Sequence, residues 1–240
     1  MVNQSGIKIN KLYQHIFFDL DHTLWDFDKN SADVLSVLYY RHELDQHKGW
    51  SLEKFIEKFK EINYSLWDQY HLGEITKERI RSSRFPMIFQ ELNIPANLVP
   101  SNIAEDYLKM CPTQPHVIPF TFDVLDYLKD KYHLRIITNG FEDVQHIKMR
   151  SSGLSAYFET IITSESCGYI KPDKRMFEFA LRETGAMPED SLMIGDNLDV
   201  DINGAINAGM DAIYFNPYGA DCSETTIRQI RCLTDLKQLL

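Results

Sequence analysis

Two aspartates one residue apart, Asp19 and Asp21, close the apolar run Phe17-Phe18-Asp19-Leu20-Asp21-His22-Thr23-Leu24. On an extended chain, side chains two positions apart share a side, so the two carboxylates would lie together. Like charges held close oppose each other's ionisation unless a cation bridges them or one keeps its proton. A hard divalent ion such as Mg2+ resolves that cost, and oxygen ligands also admit Mn2+. Three later segments add to this chemistry. Thr138-Asn139-Gly140 follows the apolar Leu134-Arg135-Ile136-Ile137, so hydroxyl, amide and backbone N–H donors can face an oxyanion there. Lys171 precedes Pro172 and Asp173, which suit a helix start and hold the lysine at the mouth of the fold. Leu192-Met193-Ile194-Gly195-Asp196 ends in an acidic cluster with Asp199 and Asp201, where the glycine permits close approach of backbone and ligand. Each piece alone has a plainer reading: Asp21 as a turn opener or helix cap, Thr138-Asn139-Gly140 as an ordinary turn, Lys171 as a surface lysine, Asp196 to Asp201 as a solvated loop. Their occurrence together at four strand ends favours a site.

The elements that must position these residues follow from periodicity. Ile16 to Leu20 is too apolar for a half-exposed strand and suits a central parallel strand covered on both faces. Ligands bind at the C-terminal edge of such sheets. About ninety residues of helical character then intervene, longer than a simple crossover needs. Helices are expected over Ser31 to Tyr40, Leu52 to Phe59 and Ile62 to Tyr70, and within Lys77 to Leu92 and Ile103 to Met110. The chain should leave the core near Trp25 to Asp28 and return near Pro112 to Pro119. Downstream the rhythm alternates, as a parallel sheet requires. Helices are expected at Phe122–Lys129, Val144–Ser151, Lys174–Thr184, Asp201–Ala208 and Leu233–Leu239. Strands are expected at Arg135–Thr138, Thr160–Thr163, Ser191–Gly195 and Ala212–Phe215. The fold class is therefore α/β, a Rossmann-like parallel sheet flanked by helices, with an inserted all-helical segment.

Asp19-Leu20-Asp21-His22-Thr23-Leu24, Thr138-Asn139-Gly140, Lys171-Pro172 and Gly195-Asp196 with Asp201, in that order, resemble the motifs of the haloacid dehalogenase superfamily, and within it the phosphatases. The resemblance implies a catalytic core of residues 1–27 and 113–240 and a C1-type helical cap of residues 28–112. It implies Asp19 as nucleophile, forming an aspartyl-phosphate, and Asp21 as general acid and then general base. Mg2+ would be held by Asp19, the Asp21 backbone carbonyl and Asp196. Thr138, Asn139 and Lys171 would bind the transferring phosphoryl group. Asp201 would orient Lys171 or a metal-bound water, and Asp199 would cap a helix. The dehalogenases of the superfamily lack an acid at the Asp21 position, so its presence favours phosphate esters. A phosphomutase shares both aspartates and is the nearest rival; a regulatory or binding protein without turnover is the alternative outside enzymes. Asp-Leu-Asp-His-Thr-Leu-Trp-Asp-Phe and Gly-Asp-Asn-Leu-Asp-Val-Asp-Ile-Asn-Gly-Ala look like the bacterial pyrimidine nucleoside 5'-monophosphate phosphatases. The N-acylneuraminate-9-phosphate phosphatases are similar in wording, and other sugar phosphates and phosphoglycolate are further options.

In and beside the cap, Trp25, Trp67, Tyr70 and Phe85 could stack on a base or sugar, and Arg79, Arg81 and Arg84 could meet anionic groups. His22 could touch the leaving group or only shape the turn. The net charge of -10 over 240 residues opposes binding to a nucleic-acid backbone but leaves small phosphorylated substrates open. Cys111, Cys167, Cys222 and Cys232 lack metal-type spacing and suggest a reducing compartment. Met1 to Asn10 is polar and no run is long enough to span a bilayer, so a cytoplasmic protein without membrane contact is expected.

Overall fold

A computed structural model describes residues 13–47, 50–220 and 227–240. The expectations for Met1 to Asn10 and for Cys222 lie outside these residues. Close contacts divide the chain into two compact units.

The first unit comprises the described parts of Met1–Trp25, Val117–Glu142 and Leu154–Leu240. Its strands are β1 (His15–Phe18), β2 (His133–Thr138), β3 (Thr160–Thr163), β4 (Ser191–Gly195), β5 (Asp211–Phe215) and β6 (Arg228–Ile230). They form one sheet in the order β3-β2-β1-β4-β5-β6, and every pair is parallel. Ile16, Phe17 and Phe18 have no exposed surface, which is the burial on both faces that their unbroken apolarity requires. The chain steps one way from β1 to β3 and the other way from β4, so the order reverses beside β1. At that switch the C-terminal ends of neighbouring parallel strands diverge and leave a crevice. The register pairs Phe18 with Ile136 on one side and Ile194 on the other, so the segments after all three strands emerge at one level.

One face packs Phe17, Ile137, Ile162 and Met193 against Met176, Phe177 and Ala180 of the helix Lys174–Thr184. Asp173 caps that helix by accepting from the Arg175 N–H at 3.0 Å, so the cap lies after Pro172 and the helix excludes the proline. Gly185 ends it at φ +65°. The expected helix from Asp201 to Ala208 starts earlier and differently. Leu198–Asn203 is a π-helical turn, continued by a short α-helix over Gly204–Asn207. The widened turn arises where the Asn197 carbonyl accepts from both Asp201 (3.0 Å) and Ile202 (3.3 Å). The expected C-terminal helix is split into a 3-10 turn at Leu233–Asp235 and a helical turn at Leu236–Leu239.

The second unit comprises Asp26–His116 and Asp143–Gly153. We label its helices α1 (Phe27–Arg41), α2 (Leu52–His71), α3 (Lys77–Glu91), α4 (Ile103–Met110) and α5 (Glu142–Ser151). Where the spacing predicted two helices, Leu52–Phe59 and Ile62–Tyr70, α2 is continuous, because Lys60 and Glu61 contain no breaker and Phe55, Phe59, Ile62 and Leu66 bury one stripe. Phe55, Phe59, Phe85, Phe89 and Tyr107 build an aromatic core with ring centroids 5.0 to 6.5 Å apart. No helix among the described residues is long and apolar enough to cross a membrane.

Candidate active site

Lys171 is the hub of the sheet's C-terminal edge. Its side chain is 1% exposed, and its ammonium donates to Asp19 Oδ1 at 2.7 Å, Asp201 Oδ1 at 2.6 Å and the Ile137 carbonyl at 2.8 Å. Three acceptors satisfy the three N–H bonds of an ammonium, so the group is held charged and fixed in direction. The two carboxylates raise its pKa against the opposing effect of burial.

Each of these groups arrives by a simple local device. Asp19 is the first residue beyond β1, and its N–H still donates to the Ile194 carbonyl at 2.9 Å. Asp196 is the first beyond β4 and accepts the buried Thr23 hydroxyl on Oδ1 at 3.1 Å. Asp201 comes from the π-turn; its Oδ2 accepts from the Asn197 N–H at 3.0 Å while Oδ1 holds Lys171. Its side chain lies against Gly195, where a built Cβ would come within 2.4 Å of Oδ2 and 2.6 Å of the Asp201 Cβ. The glycine therefore makes room for Asp201, a protein carboxylate, at the place where close approach of a ligand was expected.

Carboxylates of Asp19, Asp196 and Asp201 lie within 4.8 Å of one another, and Asp21 is not in that group. Burial pushes Asp19 up to about 7, with Asp201 and Asp21 adding to the rise and Lys171 opposing it. Burial also pushes Asp196 well above the usual carboxylate range, with Asp19 and Asp201 raising it further. Two buried carboxylates and a half-buried one share a single ammonium and are short of positive charge. Asp201 has both oxygens engaged, whereas Asp19 and Asp196 each have Oδ1 bonded and, among the described residues, no donor to Oδ2. Two hard oxygen donors left over beside a charge deficit suit a divalent cation such as Mg2+.

The loop after Asp19 is tight. Leu24 and Trp25 N–H groups both donate to the Leu20 carbonyl, at 3.0 and 2.8 Å, and His22 adopts φ +66°. This turn takes Asp21 away from strict strand alternation, yet its charge still acts on Asp19. Thr138 accepts the Gly140 N–H at 3.0 Å on its hydroxyl. Asn139 behaves differently from the expectation of a side-chain phosphate ligand. Its Oδ1 accepts the Lys171 N–H at 2.8 Å and its Nδ2 donates to the Lys171 carbonyl at 2.9 Å, so the amide clamps the backbone of the lysine.

The helix after β4 is capped by Asn197, whose Oδ1 accepts from Asp199 (3.1 Å) and Val200 (2.9 Å), whereas Asp199, expected as the cap, lies exposed in the first turn. Thr23 and Asn197 received no role from spacing; the signal was a hydroxyl directly before the apolar Leu24-Trp25 and an Asn directly after Asp196. Of the aromatic residues considered for stacking, Trp25 and Phe85 are buried in the cores of their own units. Trp67 and Tyr70 are half-buried and meet edge to face at 5.5 Å. Arg79 is exposed, Arg81 pairs with Asp143 at 2.7 Å, and Arg84 is buried.

The family model described as haloacid dehalogenase-like hydrolase matches residues 13–209. The chain belongs to that family. It is similar to pyrimidine 5'-nucleotidase YjjG of Escherichia coli, 31% identical over 94% of this chain and 96% of that protein. It is 32% identical to pyrimidine 5'-nucleotidase PynA of Streptococcus pneumoniae, covering 86% of this chain and 85% of that one. Among solved structures, the magnesium-bound HAD-hydrolase YfnB of Bacillus subtilis matches with a TM-score of 0.83 and 29% identity, over 96% of this chain and 99% of that chain. The parallel six-stranded sheet is the Rossmann-like fold of these hydrolases. Within the family, the chain is a phosphatase.

Proposed function

We propose that the chain hydrolyses phosphomonoesters through an aspartyl-phosphate on Asp19, with pyrimidine nucleoside 5'-monophosphates as its substrates and Mg2+ as its metal. The mechanism rests above all on Lys171, buried between Asp19 and Asp201. The substrate rests on similarity to two pyrimidine 5'-nucleotidases over most of the chain.

An Asp19 oxygen attacks phosphorus and the ester P–O bond breaks. Asp21, in the turn beside it, gives a proton to the leaving alkoxide and later takes one from the attacking water. That water forms a new bond to phosphorus, the Asp19–phosphate bond breaks, and inorganic phosphate leaves. Lys171 holds its charge beside the transferring group throughout, while Asp201 fixes its direction and Asn139 fixes its backbone. Thr138 stands at the neighbouring strand end as a phosphate contact. Mg2+ held by Asp19, Asp196 and the Asp21 carbonyl would supply the missing positive charge, and Mn2+ could replace it. A cytoplasmic setting suits the free thiols Cys111, Cys167 and Cys232.

The test is phosphate release with Mg2+ across nucleoside monophosphates, N-acylneuraminate 9-phosphate, hexose phosphates and phosphoglycolate, compared as kcat/KM. A pyrimidine preference supports the substrate; a sugar-phosphate preference keeps the mechanism and replaces the substrate. Asp19→Asn should abolish turnover while the protein stays folded, and unchanged hydrolysis by that variant removes the proposed nucleophile.

A further inference from the structure

The second unit holds a buried cation that none of its acidic residues meets. Arg84, in α3, is only 6% exposed. Its guanidinium carbon lies 5.4 Å from the ring centroid of Phe59 and 5.4 Å from that of Tyr107. Among the described residues no carboxylate forms an ion pair with it. Arg81, one helical turn earlier, is a second positive charge acting on it and is itself bridged to Asp143 at 2.7 Å. The Arg84 Nε is buried with no hydrogen-bond partner. Asn63 sits four residues after Phe59, hence on the same face of α2; it is 2% exposed and its Oδ1 also lacks a partner. The Tyr107 hydroxyl acts on Arg84 and lies 2.8 Å from Ser31 Oγ.

A guanidinium does not escape burial by losing its proton, and an unpaired buried charge is unfavourable. The two ring faces offset part of that cost, because their quadrupoles attract a cation. They do not supply an acceptor for Nε. A well-packed apolar side chain of similar length would satisfy the same aromatic core without the penalty. Function is commonly kept at a cost in stability, so a buried cation without a counter-charge is a candidate for a group that meets a ligand.

We propose that Arg84, with the Tyr107 hydroxyl, forms an oxyanion-binding site within the helical unit. Its ligand is a phosphate or carboxylate group that accepts from the guanidinium, supplies the missing negative charge and lies against the Phe59 and Tyr107 rings. The site is independent of the catalytic assignment in the first unit.

The experiment uses the full chain in a buffer free of oxyanions. Arg84→Met should melt higher than the wild type by roughly 2–4 °C, since it removes an uncompensated charge. A lower melting temperature means that Arg84 is a structural cation on its rings, and it overturns the proposal. A variant that fails to fold is the extreme of that result and overturns the proposal in the same way; the wild type supplies the second readout. The Arg84 Nε–H signal in a nitrogen-15 spectrum, assigned by its loss in Arg84→Lys, should shift saturably with inorganic phosphate or with acetate. Run separately, the two anions identify which oxyanion is taken. No shift with either overturns the site, as does a shift that disappears in Asp196→Asn, which would show an effect relayed from the first unit.

Discussion

Gly195→Ala isolates the device that sets the central lysine. Gly195 has no positive φ, so alanine brings no backbone penalty and its whole effect must come from the added methyl. That methyl would sit 2.4 Å from Asp201 Oδ2, 2.5 Å from Cγ and 2.6 Å from Cβ. These atoms run back to the root of the side chain, so rotation about one bond does not clear them. Moving Cγ from 2.5 Å to the 3.4 Å of ordinary contact takes about 0.9 Å. The same shift stretches the 2.6 Å bond to Lys171 toward its limit and loosens the 3.0 Å bond from the Asn197 N–H. Losing a buried charge-assisted bond costs about 1.5–3 kcal/mol and the backbone bond about 1 kcal/mol. The variant should therefore stay folded but lose roughly 2.5–4 kcal/mol in urea unfolding. Phosphate release should fall about 100-fold, because a shift near 1 Å in a positioned catalytic charge has effects of that order. The control is Asp201→Gly, which removes the atoms in the way. Added to that background, Gly195→Ala should change stability by less than about 0.5 kcal/mol. Additive losses in the double variant, or a single variant as stable and active as the wild type, would refute the reasoning.

The other expectations follow from the same charges. Lys171→Met leaves Asp19 and Asp201 buried without their cation and should lower stability by about 3–5 kcal/mol with loss of turnover; an unfolding midpoint equal to the wild type contradicts the ion-pair geometry. Thorough chelation should stop phosphate release and lower Tm, and returned Mg2+ or Mn2+ at about 100 times its Kd should restore about 2.7 kcal/mol; a Tm indifferent to the metal removes the cation site. At the opposite edge of the sheet, burial and then Arg135, whose Nη1 is 2.6 Å from His15 Nδ1, pull the His15 pKa below its ordinary 6.5. The folded state therefore binds fewer protons than the unfolded one, so this contribution is full above about pH 6.5 and is lost as pH falls through it toward the lower folded value. Urea midpoints should drop between about pH 8 and about pH 5, with a shallower slope in His15→Gln, and equal slopes would exclude His15 as the source.

The sheet and the residues at its edge were legible because both rest on local rules. A short, mostly apolar strand with a polar side chain at or just after its end fixes where Asp19, Thr138 and Asp196 emerge. Lys171 required the distant sheet to become buried, and its two partners, Asp19 and Asp201, lie 152 and 30 positions away in sequence. Side-chain destinations were less legible. Asn139 carries the right donors for an anion, and nothing in its neighbours in sequence reveals that Lys171 uses both ends of the amide. Asn and Asp are close in capping preference, so Asp199 and Asn197 competed, and the N–H groups that choose between them exist only once the turn has formed. Grouping of elements into units is not local either. Residues 143–153 keep helical periodicity like their neighbours, yet Arg81 reaches Asp143 across 62 positions, a contact with no local signature. The edge strand β6 is three residues long, too short for alternation to register.

Charge balance, taken unit by unit, separates structural polar groups from functional ones more sharply than burial does. Arg135 is as buried as Arg84, at 6% exposure each, and its Nε also lacks a partner, but its charge is balanced by Glu159 at 3.0 Å and its Nη1 meets His15 at 2.6 Å. The Asp19, Asp196 and Asp201 group has one ammonium for three carboxylates and, among the described residues, two oxygens without donors. Arg84 has rings and a hydroxyl for company and, among the described residues, no anion. A fold selected for stability alone would remove both imbalances by apolar substitution, since buried unpaired charge is the least favourable content of a core. Their persistence, one negative and one positive, is what binding a cation in the first unit and an oxyanion in the second would explain. It also orders the variants: neutralising Arg84 should stabilise the free protein, whereas removing Lys171 deepens an existing deficit and should destabilise it. Stabilities that moved in the reverse order would mean that neither imbalance is real.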